Sequence, residues 1–273
     1  MLTTIIKTEW LKIKKYPAFW WVMGITALTY PGINYMFYRI YLQITSNENQ
    51  AGKLVKTLLG NPFALPEGWR TIAYFSSLFI FIPAIVIIML ITNEYSYKTN
   101  RQNIIDGWSR KDFMTGKFVD VLILSLLVTA LYTAVVLIMG LANTTDANAD
   151  KWNLAYYVGL FALQSFSQLS LAFLVGLLVR RSFIALAIFA FYFIVLEPIA
   201  VNVLKYKFES KIGEYFPLEI SHKLLPRPAF FSKIDSKGYQ EALDAIKPHI
   251  GYTLVLVLIT WLLCFWINNK RDL

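Results

Sequence analysis

Six long apolar blocks constrain this chain more than any other feature of its sequence. Each block is about as long as the roughly 20 residues that an α-helix needs to cross the core of a bilayer. Hydrophobic residues make up 57% of the 273 residues and charged residues only 16%, whereas about a quarter of a typical soluble domain is charged. The blocks leave too little chain for a separate soluble core. The sequence therefore predicts one all-α membrane domain over residues 1–273.

The predicted architecture is six transmembrane helices at about residues 18–38, 71–92, 118–141, 154–179, 182–201 and 250–267. An interfacial helix over 2–15 precedes them, with apolar side chains at helical spacing and lysines largely on the opposite side. Glu9 is a flaw in this pattern, because it lies within the apolar stripe. Pro17 is then predicted to break the helix. An outer segment, 202–248, is predicted to form short helices at the membrane surface.

The distribution of Lys and Arg predicts how the chain is oriented. Segments 1–17, 93–117, 180–181 and 268–273 would share one side of the membrane, and they are nearly twice as dense in Lys and Arg as the opposite side. Cytoplasmic loops carry such an excess. We therefore expect a multi-pass protein of the bacterial inner membrane with both termini in the cytoplasm. The same excess accounts for the net charge of +9 without nucleic acid as a partner.

The segment 93–117 is longer than a simple connection between two spans requires. It contains an apolar pair that ends at Ile105, a hinge at Gly107 and a residue suited to cap a helix, Ser109, directly before Arg110. This order predicts a short helix along the membrane surface, a turn, and a helix that rises into the membrane. On pattern alone, the segment either docks another protein or only joins two spans.

Several short motifs surround this predicted helix: Glu94, Thr99-Asn100-Arg101, Gly107-Trp108-Ser109-Arg110 and Gly116-Lys117. Together they resemble the cytoplasmic loop of ABC-2 type permeases, the transmembrane subunits of bacterial ABC exporters. Glu9-Trp10-Leu11-Lys12 resembles the connecting helix of that family, and Arg180-Arg181 matches its second, very short cytoplasmic turn. In one departure from the family pattern, Lys98 stands where the family usually has Gly.

The resemblance implies that 93–117 is a coupling helix lodged in a groove of a separate ATPase subunit. Glu94 and Arg101 would anchor its ends, and Trp108 would pack into the interface. The full implied docking set is Glu9, Glu94, Thr99, Arg101, Gly107, Trp108, Ser109, Arg110, Lys117, Arg180 and Arg181. Two ABC ATPase subunits would bind ATP and Mg, and two permease chains within the membrane lipids would line the path. Symmetry favours a homodimer, and a heterodimer remains open.

The chain carries no nucleotide-binding loop of the type Gly-x-x-x-x-Gly-Lys-[Ser/Thr]. We therefore expect no enzymatic activity and no cofactor in this chain, with ATP and Mg bound by the partner. His222 and His249 have no cluster of further ligands in the sequence, so no metal site is expected. The single cysteine, Cys264, is expected to be a packed and inert thiol.

Polar residues within the predicted spans are candidates for a transport path or for helix packing: Ser125, Thr129, Thr133, Gln164, Gln168 and Glu197. Their spacing places each Ser/Thr or Gln set on one helix face, where such side chains commonly form hydrogen bonds between helices. Glu197 directly precedes Pro198. It would either tie Lys205 or a helix end, or take part in transport.

The function that these features predict is a permease subunit of an ATP-driven exporter. Its substrate would be a hydrophobic or peptide-like molecule such as an antimicrobial. One alternative is an ion-coupled secondary transporter, which would need charged residues at the midplane and repeat symmetry. Another is a membrane enzyme or a scaffold without transport activity.

Overall fold

The computed structural model describes residues 2–45, 60–145, 150–230 and 235–270, with side chains described from Lys7 onward. Within these ranges the fold is all-helical and contains no strand. Parts of three predicted segments lie outside the described residues: the apolar side chains at the start of the interfacial helix, positions 231–234 of the outer segment, and the last three residues of the chain.

The helices are α1 (Leu2–Lys14), α2 (Pro17–Thr45), α3 (Gly68–Ser77), α4 (Phe81–Ser96), α5 (Thr99–Ile105), α6 (Arg110–Asn143), α7 (Tyr157–Val179), α8 (Ser182–Phe191), α9 (Glu197–Lys207), α10 (Pro217–His222), α11 (Ser236–Asp244) and α12 (Ile246–Lys270). A π-helical turn, Tyr192–Leu196, joins α8 to α9, and a 3-10 turn, Lys211–Tyr215, precedes α10.

Helix α7 lies at the centre of the bundle and packs against α3, α4, α6, α8, α10 and α12. Its buried residues occur all around the helix rather than on one stripe. Aromatic rings fill the contact with α6, where Phe161 stacks on Tyr132 with ring centroids 4.4 Å apart. The helix contains no charged residue and its glutamine and serine side chains between 164 and 170 are buried, so it presents no charged face to solvent and can occupy the core of the bundle.

Four helical rods in the described ranges are long and apolar enough to cross a membrane: α6, α7, the continuous rod over 182–207, and α12. A fifth crossing results if α3 and α4 together form one bent span. Helix α2, which contains the predicted first span, is not among the four. Its Thr, Tyr and Asn side chains make it less apolar than the others, so the first of the six predicted spans is not confirmed.

The predicted span 71–92 is not a single helix. It consists of parts of α3 and α4, which meet at 48° across a short break. Pro83 lies just after this break and explains it. Proline has no N–H to donate, and its ring clashes with the carbonyl four residues earlier, which here belongs to Phe79 within the break.

Several predicted helix boundaries are confirmed. α1 ends at Lys14, and α2 begins at Pro17. α6 begins at Arg110 behind a complete capping box, in which the side chain of Ser109 accepts a bond from the Asp112 N–H and Asp112 bonds back to Ser109. Pairing two otherwise unbonded backbone N–H groups in this way fixes the start of the helix.

Helices α7 and α4 approach closely at Gly176. A Cβ atom at this position would lie 2.6 Å from Cγ2 of Ile91 and 3.5 Å from Cα of Ile88. We expect Gly176→Ala to lower the free energy of unfolding by about 1–3 kcal/mol, the usual cost of overpacking a core. Thermal unfolding of the detergent-solubilised protein would measure this change.

The matched control for this prediction is Gly159→Ala in the same helix. A Cβ atom at Gly159 would meet no atom within 4 Å, so alanine should leave stability unchanged or raise it by up to about 1 kcal/mol. An equal response of the two variants would contradict close packing at Gly176.

Candidate functional site

Five charged side chains from three helices form a buried ion cluster: Glu9 and Lys12 of α1, Glu94 of α4, and Lys117 and Asp120 of α6. Glu9, Lys117 and Asp120 are almost fully buried, and Glu94 is nearly so. Charged groups are rarely buried unless they are paired. The cluster therefore fixes how α1 and segment 93–117 sit on the bundle.

Lys117 is at the centre of the ion cluster. Its Nζ donates to Oε2 of Glu9 at 2.5 Å, to Oε1 of Glu94 at 2.8 Å and to Oδ2 of Asp120 at 3.3 Å. A lysine ammonium has three N–H donors. Each of them therefore has a carboxylate acceptor, which offsets the cost of removing this charge from water.

Lys12 closes the outer side of the ion cluster. Its Nζ donates to Oε1 of Glu9 at 3.0 Å and to Oε1 of Glu94 at 3.1 Å. It also lies 5.7 Å from the ring centroid of Trp108, within the range of a cation–π contact. Thr99 donates its hydroxyl to Oε2 of Glu94 at 3.0 Å. The start of α5 and the turn after it are thereby tied to α1.

The two lysines keep Glu9 ionised. Burial alone raises the pKa of this carboxyl, but the positive charges of Lys117 and Lys12 outweigh that effect and lower the pKa to about 2. Glu9 therefore remains negative at neutral pH, and its ion pairs persist there. The flaw in the apolar stripe of α1 is thus the residue that points into the bundle, one helical turn before buried Ile13.

The structure separates the predicted docking residues into two groups. The side chains of Glu9, Glu94 and Lys117 are buried in the ion cluster, where they hold the segment and offer no contact surface in this conformation. Arg101 and Gly107 are exposed, and Trp108 is half-buried against the core.

Sequence reasoning missed Lys12 and Asp120 as members of the ion cluster. The signal for Asp120 was an acid three residues after Lys117, within an apolar block.

The remaining docking candidates lie at the same end of the bundle. Arg110 Nη1 donates to the carbonyls of Asn268 and Asn269 at 3.1 and 2.8 Å. Arg180 packs over the ring of Tyr95, with its guanidinium carbon 4.3 Å from the centroid, while Arg181 is exposed at the start of α8. Parts of all four Lys- and Arg-dense segments therefore meet at one end.

An exposed surface remains on the outer side of α5. Tyr97 and Ile105 are 76% and 77% exposed, and Arg101, Gln102 and Asp106 are also exposed. On the opposite side of α5, Asn100 is buried. We call the five exposed residues Tyr97, Arg101, Gln102, Ile105 and Asp106 the α5 surface. Sequence reasoning had named only Arg101 among them as a docking residue.

Lys98 joins α4 to α5 in a left-handed conformation, with φ at 56°. This conformation costs a non-glycine residue about 1–2 kcal/mol, and the resemblance places Gly at this position. We expect Lys98→Gly to raise the free energy of unfolding by about 1 kcal/mol, measured as a higher melting temperature.

The control for the Lys98 prediction is Lys111→Gly, which replaces an exposed lysine in the first turn of helix α6. Glycine is about 1 kcal/mol less favourable than alanine in a helix, so this variant should melt lower than the native protein. Destabilisation of both variants would show that the left-handed turn carries no strain.

The polar residues within the predicted spans differ in their hydrogen-bond partners. The hydroxyls of Ser125, Thr129 and Thr133 donate to carbonyls of their own helix, and their role in helix packing or in a path stays a prediction. Gln168 does bridge two helices, since its Nε2 donates to Oγ of Ser221 in α10 at 3.1 Å. Gln164 is fully buried, and neither of its amide atoms has a partner among the described residues.

Glu197 binds the N-terminal end of a helix, which is one of the structural roles predicted for it. Its Oε1 accepts a bond from the backbone N–H of Glu219 at 2.6 Å, in the first turn of α10. An acid at a helix N-terminus binds N–H groups that have no partner within the helix. Lys205 is not its partner, because that side chain lies against the ring of Tyr206.

Within the described ranges, no three His, Cys, Asp or Glu side chains form a group that could hold a metal ion. The carboxylates of the ion cluster are occupied by Lys12 and Lys117. His249 bonds the carbonyl of Ala245 through Nδ1 at 2.7 Å, and Cys264 is fully buried.

The fold and the site define a class of protein. It is an all-helical protein with about four helices able to cross a membrane, in which a buried ion cluster joins α1, α4 and α6 at one end of the bundle. A family model described as "Protein of unknown function (DUF2705)" matches residues 60–273. Because the match covers more than half of the chain, the protein belongs to this family. No curated protein matches it at a significant level.

Proposed function

We propose that this protein is the transmembrane permease subunit of an ATP-driven ABC exporter in the bacterial inner membrane. Six crossings would be made by α2, the bent pair α3–α4, α6, α7, the rod over 182–207 and α12, with both termini in the cytoplasm. The energy would come from two separate ABC ATPase subunits that carry ATP and Mg. A second copy of the chain would complete the path for a hydrophobic or peptide-like substrate.

One observation carries this proposal: α5 presents an exposed surface on one side and is fastened to the bundle on the other. Removing one partner of a buried ion pair costs about 3–5 kcal/mol, so the buried pairs of the ion cluster hold their helices together firmly. Thr99 of α5 bonds Glu94 of α4, and Glu94 in turn bonds Lys117 of α6. A force applied to α5 would therefore move α4 and α6 together instead of pulling the two helices apart. Such a segment is suited to transmit the movement of a partner protein to helices that cross the membrane.

Purification of the tagged chain from native membranes would test the proposal. We expect an ABC ATPase to co-purify in about equal amount, as symmetric assembly of two permeases and two ATPases requires. The complex should hydrolyse MgATP. Recovery of the folded chain without any ABC ATPase, under conditions that preserve other membrane complexes, would refute the assignment.

A second candidate, an ion-coupled secondary transporter, is favoured by Asp120. This acid lies within a membrane-capable helix, and intramembrane acids are often part of ion pathways. Its ion pair with Lys117, near the start of the predicted span 118–141, supports a structural role instead. The two functions differ in their energy source. Transport in vesicles driven by a proton gradient without ATP would favour the second candidate.

A further inference from the structure

The central helix α7 carries buried polar groups that the bundle does not satisfy. We call Gln164, Ser167 and Gln168 the polar seam. All three residues are at most 1% exposed. Both amide atoms of Gln164, the hydroxyl of Ser167 and Oε1 of Gln168 have no hydrogen-bond partner among the described residues.

Other polar residues of α7 show that the helix itself can satisfy a hydroxyl. Ser165 donates to the carbonyl of Ala162 at 3.0 Å, and Ser170 donates to that of Phe166 at 2.7 Å. Ser170 also accepts a bond from Nε1 of Trp261 at 3.0 Å. In α7 the unsatisfied groups are those of the seam and the hydroxyl of Tyr157 at the start of the helix, so they are not a general property of its polar side chains.

Unsatisfied polar groups are expensive in the interior of a protein, at about 1–3 kcal/mol each. Four such atoms on consecutive turns of the central helix would be a large cost if nothing bonded them. The seam also has a polar continuation, because Gln168 donates to Ser221 of α10. Buried polar groups of this kind are usually bonded by internal water or by a ligand.

The chemistry of the seam restricts what it can bind. No charged residue occurs between Tyr157 and Val179, so nothing on α7 would neutralise an ion. An amide and a hydroxyl both donate and accept hydrogen bonds. We infer that the polar seam binds neutral hydrogen-bonding groups, either water or the amide groups of a transported molecule. Only the second source rests on the proposed transport function.

Cysteine reactivity tests this inference in a background that carries Cys264→Ala. Ser167→Cys places a nearly isosteric thiol in the seam, and Ser165→Cys is the control at a buried, bonded position of the same helix. The reactive species is the thiolate, which forms far less readily in a dry apolar site. We expect 2-hydroxyethyl methanethiosulfonate to modify position 167 about tenfold faster than position 165.

A second pair, Gln164→Cys against Leu169→Cys, repeats the comparison if the first pair is poorly folded. Equal rates at the seam and control positions in folded protein would overturn the inference. Added N-acetylglycine amide distinguishes the two sources, because protection of position 167 indicates a site for amide groups. Fast labelling without protection indicates water. The labelling needs no ATPase, so its failure is distinct from failure of the proposed function.

Discussion

Lys117→Met should lower the free energy of unfolding by about 3–5 kcal/mol, the usual cost of removing one partner from a buried ion pair. Methionine fills a similar volume but carries no charge. The variant leaves Glu9, Glu94 and Asp120 with a single remaining cation, Lys12, which is itself partly exposed. Thermal unfolding in detergent would record the loss.

Two further variants show whether charge is the cause. Lys111→Met removes an exposed lysine from the same helix and should change stability by less than about 0.5 kcal/mol. Adding Glu9→Gln to Lys117→Met removes one uncompensated carboxylate and should recover part of the lost stability, a coupling that a double-mutant cycle measures. An unchanged melting temperature in Lys117→Met, or no recovery in the double variant, would contradict the role given to the ion cluster.

The ion cluster also shows how far the sequence could predict the site. Glu94 and Lys117 were recognised by their motif, and Glu9 by its place in the apolar stripe. Their mutual contact could not be predicted, because Lys117 bonds carboxylates 23 and 108 residues away through the packing of three helices. Local pattern identifies which residues are unusual, whereas only the tertiary fold decides whether they face a partner or each other.

The helix boundaries show the same difference between what local sequence pattern predicts and what tertiary packing decides. The start of α6 depends on a capping interaction between neighbours, and it could be predicted from Ser109 and Arg110. The break near Pro83 was harder to place. A proline within an apolar helix either kinks it or ends it, depending on whether neighbouring helices accommodate the freed carbonyl. The hydroxyl of Thr129 illustrates a similar choice, because it can reach a carbonyl of its own helix as well as a neighbouring helix, and here it donates to Ser125 of its own helix.

The α5 surface gives the second large effect that we expect. Ile105→Glu should weaken binding of the co-purifying ABC ATPase by about 2 kcal/mol or more, which is roughly 30-fold in the dissociation constant. An apolar side chain that is 77% exposed gains most when a partner covers it, and a carboxylate there would be desolvated without a counter-charge. Titration of the ATPase onto the permease in detergent, in the presence of MgATP, measures the change.

Ile212→Glu is the matched control, because Ile212 is 65% exposed in the outer segment, on the side predicted to lie away from the ATPase. It should bind the ATPase like the native chain. Neither isoleucine is buried, so both variants should keep the native melting temperature, which separates lost docking from lost folding. Equal binding by the two variants would mean that Ile105 is not in the interface. Weakened binding only with Ile212→Glu would place the ATPase at the other end of the bundle and reverse the proposed orientation.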